Sequence, residues 1–290
     1  MNAEKTNYDL LYNPRLVVPN YQEIFDRWER ESEQARASLD CYLDVPYGPT
    51  DSETIDIFRA QGKSKGLLVY IHGGYWRSLD KKNFSFIAPA LVREGITVAV
   101  PSYALCPAVQ VEDIVMQMVQ VCAWLHRNGG NFGAPSGRLN VCGHSAGGHL
   151  AAMMLCCLWS KYSADLPEKV VSAAFSISGL YDLAEIVKVP SVNCDVRLTE
   201  ESALKLSPAF LPPATDAPFY TAVGSEENEG FHIQNRLIAK KWGKVLRADI
   251  PCPGANHFTV LDQLCNPGTS LFKAVVDMVG CRLSIASIPL

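Results

Sequence analysis

Six short apolar runs, spaced along the chain with helix-length stretches among them, constrain this sequence more than any other feature. They read GLLVYIH (66–72), ITVAVPSY (96–103), RLNVCG (138–143), VVSAAFSIS (170–178), FYTAVG (219–224) and KVLRADIP (244–251). Stretches of helical character fall at 83–94, 109–127, 146–160, 230–242 and 269–283. Continuous apolar strands alternating with helices predict an α/β protein: a mostly parallel central sheet with helices on both faces. Each parallel strand needs a crossover, and the crossover helix covers the sheet. Two further strand candidates, 41–48 and 54–60, precede the alternation. The segment 1–40 reads as helical. Within it, residues 20–39 place Ile24, Phe25, Trp28, Ala35 and Leu39 in an amphipathic pattern, and Asn20 and Glu23 stand at capping-box spacing. The stretch 179–217 is poor in strand signal and is a candidate cap over the C-terminal edge of the sheet. No repeat, low-complexity run or long linker divides residues 1–290, so a single domain is expected.

Composition removes several alternatives. With 48% hydrophobic and 19% charged residues the chain can bury a large core, which excludes disorder as its main theme. The net charge is −4 and no Lys/Arg cluster forms a nucleic-acid footprint. The first residues, MNAEKTNYDLLYNPR, lack the apolar core of a signal peptide, and LAAMMLCCLW (150–159) is too short to span a bilayer. A soluble cytoplasmic protein without a membrane partner is expected. The ten cysteines are scattered without a CxxC pair, mostly in apolar segments (Cys122, Cys142, Cys156, Cys157, Cys281), which predicts buried reduced thiols. The six histidines show neither HxxxH nor HExxH spacing, so no metal site is expected.

Chemistry enters at Gly143-His144-Ser145-Ala146-Gly147, a G-x-S-x-G placed between an apolar strand and a helix. A strand-to-helix turn this tight requires small flanking residues, supplied here by Gly143, Ala146, Gly147 and Gly148. It lifts the Ser145 hydroxyl above the helix N-terminus, where the dipole favours a developing anion. In the α/β-hydrolase pattern this is the nucleophile elbow. About 70 residues upstream, His72-Gly73-Gly74-Tyr75-Trp76 follows the strand 66–72. Glycines there let backbone N–H groups approach an oxyanion, each such donor being worth about 2.7–4 kcal/mol. Gly73, Gly74 and Ala146 are the expected donors, and His72 is expected to brace the loop.

A serine nucleophile needs a base, and the order along such chains is Ser, acid, His. His257, in the polar loop PCPGANHF, follows the last strand candidate; His126, His144, His149 and His232 stand in the wrong places. The acid should follow FYTAVG, where the chain reads Ser225-Glu226-Glu227-Asn228-Glu229. A glutamate must serve, and spacing alone does not separate Glu226 from Glu227.

Several blocks together resemble the α/β-hydrolase kynurenine formamidases (arylformamidases). They are VPYG (45–48), DIF (56–58), HGGYW (72–76), GHSAGGHLAAMML (143–155), SGLYDL (178–183), LTEESALKLSP (198–208), VGSEENEGFHIQ (223–234) and NHF (256–258). The likeness runs nearly the whole length. The family's acidic block has the form V-G-x-x-D-S-P-E-F-H, and matching Phe231 and His232 places its aspartate on Glu227. This chain therefore departs from the family in carrying Glu for Asp, and again at Asn256, where the family motif around the histidine reads D-H-F.

The resemblance implies cofactor-independent hydrolysis of N-formyl-L-kynurenine to L-kynurenine and formate by Ser145, His257 and Glu227. Tyr75 and Trp76 are expected to wall a small acyl pocket and stack on an aromatic leaving group. No evident cation for an amino-acid carboxylate stands out beyond Arg77 beside the loop. Competing expectations are a small-acyl carboxylesterase or a carbamate or amide hydrolase on the same scaffold, and a non-catalytic receptor with a hydrolase fold. A metal hydrolase lacks a ligand cluster.

Overall fold

The computed structural model describes residues 6–280, so Cys281 and the end of the helix expected at 269–283 lie outside the described residues. Eight strands form one sheet: β1 (Cys41–Pro46), β2 (Thr54–Phe58), β3 (Gly66–Ile71), β4 (Ile96–Pro101), β5 (Leu139–His144), β6 (Val171–Ile177), β7 (Phe219–Gly224) and β8 (Leu246–Cys252). Their order across the sheet is β1-β2-β4-β3-β5-β6-β7-β8. The β1–β2 and β2–β4 pairs are antiparallel and the remaining five are parallel. The mostly parallel sheet with helices on both faces is what the strand and helix pattern predicts, and its arrangement is the α/β-hydrolase fold that the resemblance implies.

Strand β3 shows why apolar runs make the centre of such a sheet. Leu67, Val69 and Ile71 join the core on one face, while Leu68 and Tyr70 join the core on the other. With both faces covered, successive side chains must all be apolar. Helices Val111–Asn128 and Ala146–Cys156 pack into the first core. Helices Tyr21–Ser38 and Ser270–Gly280 pack into the second.

Three local expectations change. The helix after residue 20 forms, but Asn20 makes no side-chain cap; its φ of −95° and ψ of 22° lie outside the extended region that a capping box requires. The helix expected at 83–94 is two 3₁₀ turns followed by Ala88–Arg93, and the one expected at 146–160 stops at Cys156 before a short turn at Trp159–Tyr162. The candidate cap at 179–217 is a run of short helices, Ala184–Val187, Pro190–Val196 and Glu200–Lys205, with a 3₁₀ turn at Pro208–Phe210.

Among the described residues no helix is long and apolar enough to cross a membrane, and no cluster of His, Cys, Asp and Glu is arranged to hold a metal ion. The nine cysteines among them are free. Burial raises the thiols of Cys156 and Cys157 to about 12 and about 11, and Cys122 and Cys142 are raised further still.

Candidate active site

The chain reverses its direction of travel across the sheet between β3 and β5, and open α/β sheets bind ligands at the carboxyl ends of the strands at such a point. Ser145 follows β5 directly, with φ 58° and ψ −120°, a conformation that a non-glycine residue holds only when its surroundings enforce it. The enforcement is steric. A Cβ on Gly143 would stand 2.0 Å from the Gly147 carbonyl oxygen, and one on Gly147 would stand 2.0 Å from that of Ile71. Only glycine permits the helix Ala146–Cys156 to start this close to β3 and β5.

The loop after β3 lies against that turn: a Cβ on Gly73 would meet the His144 carbonyl oxygen at 2.9 Å and the Ser145 Cβ at 3.1 Å. Gly74 has φ 111°, and Tyr75 and Trp76 follow at 51° and 56°. Its carbonyls are pinned: that of Gly74 accepts from the amides of Arg77 and Ser78, and that of Gly73 accepts from His72 Nδ1 at 2.8 Å. His72 is stacked between Tyr103 (4.2 Å between centroids) and Phe84 (5.5 Å), and burial lowers it to about 4, so it is a neutral brace. The amides of Gly73, Gly74 and Ala146 have no protein acceptor among the described residues. For Ala146 this follows from its place at the first position of a helix.

Glu227 and His257 come from the loops after β7 and β8. His257 Nδ1 lies 2.6 Å from Glu227 Oε2, both side chains being buried. The other carboxylate oxygen accepts from the Gly224 amide at 2.7 Å and the Ser178 hydroxyl at 2.5 Å. Glu226 is exposed. His144 donates from Nε2 to the His257 carbonyl at 2.8 Å; burial first, and then the neighbouring His257, hold it well below the usual imidazole range and therefore neutral. Phe231 packs its ring 4.2 Å from that of His257. Asn256 accepts from the amides of Phe258 and Thr259 at 2.9 and 3.0 Å, a task for its carbonyl oxygen that an aspartate performs equally well.

Ser145 and His257 line one cleft of about 170 Å³, together with Gly73, Gly74 and Tyr75. The Tyr75 hydroxyl donates to the Tyr12 carbonyl, which fixes the ring in the wall. Trp76 is not part of the cleft lining. It is fully buried, edge-on to His149 at 5.1 Å, because its left-handed backbone directs it toward the elbow helix; it supports the loop from the core. Arg77 does line the cleft, and its guanidinium is bonded to Asp195 at 2.5 Å.

Several neighbours of the cleft carry no sign of that place in the sequence. Phe25, Trp28, Phe84 and Phe258 line its aromatic side, with Phe25 stacked on Trp28 at 5.1 Å. The amphipathic spacing of helix Tyr21–Ser38 marked Phe25 and Trp28 as buried, but burial alone did not place them at the site. Asn13, Pro14 and Arg15 also line it, as do Ser191 and Val192 from the 179–217 stretch. Asn13 Nδ2 donates to the Ser191 hydroxyl at 3.1 Å, and Asn228 Nδ2 to the Leu10 carbonyl at 2.7 Å, which anchors the N-terminal segment.

Comparison with known proteins agrees with this architecture. Residues 68–231 match a family model for the α/β-hydrolase fold. A kynurenine formamidase of Salmo salar is 33% identical over 261 residues, covering 86% of this chain and 85% of the relative. One of Danio rerio is 32% identical, with the same two shares of coverage. Among solved structures, a protein of Silicibacter sp. TM1040, proposed to be a thioesterase, superposes with a TM-score of 0.83 at 28% identity, covering 96% of this chain and 100% of that one. The chain is an α/β-hydrolase enzyme and belongs to the kynurenine formamidase family.

Proposed function

We propose that the chain is an arylformamidase that releases formate from N-formyl-L-kynurenine through a Ser145–His257–Glu227 triad. The observation that carries this reading is the pairing of a strained Ser145 with a Glu227-bonded His257 in one aromatic-walled cleft. His257 accepts the Ser145 proton as the oxygen attacks the formyl carbon. Glu227 holds the Nδ1–H tautomer and stabilises the imidazolium. Negative charge on the formyl oxygen is met by the amides of Gly73 or Gly74 and of Ala146. His257 then protonates the aniline nitrogen, kynurenine leaves, and water repeats the sequence on the formyl-serine. No cofactor takes part in these steps.

The family aspartate is replaced by a side chain one methylene longer. Supporting its competence here, all three donors around the Glu227 carboxylate lie within 2.5–2.7 Å. The aromatic side of the cleft suits an aniline leaving group better than an alkoxide, which favours the formamidase over an alkyl esterase. The test is the ratio of kcat/KM for N-formyl-L-kynurenine to that for p-nitrophenyl acetate on purified protein. A ratio well below one would assign the cleft to small esters instead.

A further inference from the structure

Two guanidinium groups, Arg15 and Arg77, line the cleft, and among the described residues no aspartate, glutamate or lysine lines it. They differ in what already occupies them. Arg77 is bonded to Asp195 at 2.5 Å, so its charge is neutralised in place. Arg15 has no carboxylate partner among the described residues. Its guanidinium lies instead over the rings of Tyr21 and Phe25, at 5.5 and 5.6 Å from their centroids. Such stacking orients the group while leaving its in-plane N–H donors unused, and those donors match a carboxylate two at a time.

The backbone that carries Arg15 is held as well. Its amide donates to Asn13 Oδ1 at 3.2 Å, Asn13 is bonded to Ser191, and the carbonyl of neighbouring Tyr12 receives the Tyr75 hydroxyl. An anion arriving there meets a cation that is already positioned, which lowers the ordering cost of binding. Phe25 joins the two halves of the recognition surface, since its ring carries the guanidinium and also lines the cleft that holds Ser145.

We propose that Arg15 is the carboxylate anchor of the leaving-group side of the cleft, selecting aryl acyl substrates whose aromatic portion bears an acidic group over their neutral counterparts. This rests on the reading of the cleft as an acyl-transfer site and adds to it the charge of the preferred substrate. Arg15 is a specificity residue that touches substrate remote from the reacting bond, so its removal acts on KM more than on kcat.

The experiment uses two matched pairs, N-formyl-L-kynurenine with its carboxamide, and 4-acetoxyphenylacetate with 4-acetoxyphenylacetamide. The readout is the kcat/KM ratio of acid to amide within each pair. Wild type should favour the acid. Arg15→Gln should lower the ratio about tenfold, the equivalent of one charge-assisted hydrogen bond, and Arg15→Lys should restore part of it. Arg77→Gln should change the ratio far less. A ratio in Arg15→Gln within about twofold of wild type in both pairs, or a loss that follows Arg77 instead, overturns the assignment. Failure of the formamide pair alone, with the ester pair still dependent on Arg15, sinks the formamidase reading and leaves the anchor standing.

Discussion

Glu227→Gln tests the proposed triad where this chain departs most from its family. The carboxylate receives three donors: the Ser178 hydroxyl and the Gly224 amide on Oε1, and His257 Nδ1 on Oε2. An amide offers one oxygen and one NH₂ to the same three. The Gly224 N–H belongs to the backbone at the end of β7 and cannot turn away, so the amide oxygen is driven to that side. The NH₂ then faces His257 Nδ1 and donates to it, and the imidazole is held with its proton on Nε2, where it cannot accept one from Ser145. The expected loss in kcat is about 10⁴-fold, or about 5.5 kcal/mol, as for the comparable tautomer error in other serine hydrolases. The fold should survive, because shape and volume are kept. The assay is steady-state hydrolysis of p-nitrophenyl acetate and N-formyl-L-kynurenine, with the melting temperature measured alongside. A kcat within tenfold of wild type for a folded Glu227→Gln, or an equal loss in the exposed Glu226→Gln, would refute the reasoning.

Other expectations follow from the same geometry. Ser145→Ala should lower kcat by at least about 10⁴-fold and abolish labelling by a fluorophosphonate; residual labelling would place the nucleophile elsewhere. Gly147→Ala forces a Cβ to 2.0 Å from the Ile71 carbonyl oxygen and should destabilise the protein by at least about 1–3 kcal/mol, so an unchanged urea midpoint would contradict the packing. Tyr75→Ala should raise the butyryl-to-acetyl ester ratio, whereas Trp76→Ala, at a buried site, should act mainly on stability by about 3–5 kcal/mol. Burial lowers His72 and His149 to about 4, so both are neutral when folded and free to protonate when unfolded. Their contribution is present above about pH 6.5 and is lost as pH falls toward 4; a melting temperature that stays level from pH 7.5 to 5 would argue against it.

The sheet was legible because its central strands are apolar on both faces, and β7 was read at its observed limits, Phe219–Gly224. The elbow was legible for a related reason, since a turn this tight admits few residue types. What lay beyond reach depended on direction more than on position. Glu226 and Glu227 are one residue apart, and spacing does not tell which is turned inward; only the family register favoured Glu227. Tyr75 and Trp76 are adjacent and alike in sequence, yet one faces the cleft and the other the core. Residues 1–40 read as helical throughout, but the five-residue helix Tyr8–Tyr12 is too short for periodicity to mark its bounds or its separation from Tyr21–Ser38. Its place is set by contacts that sequence does not announce, such as the approach of the Leu11 carbonyl to Gly230, where a Cβ would stand 2.4 Å away.

The cleft draws its walls from residues 13–15, 25, 28, 73–75, 77–79, 84, 144–145, 191–192 and 257–258, nearly the full span of the described chain. During synthesis, segments that enter the assembly first must wait for partners made last, and contacts of such long sequence separation close late. The site therefore comes into being only when both ends of the described chain have met. Turnover of a chromogenic ester then reports completed folding, and its recovery after dilution from denaturant should lag behind the return of helical signal.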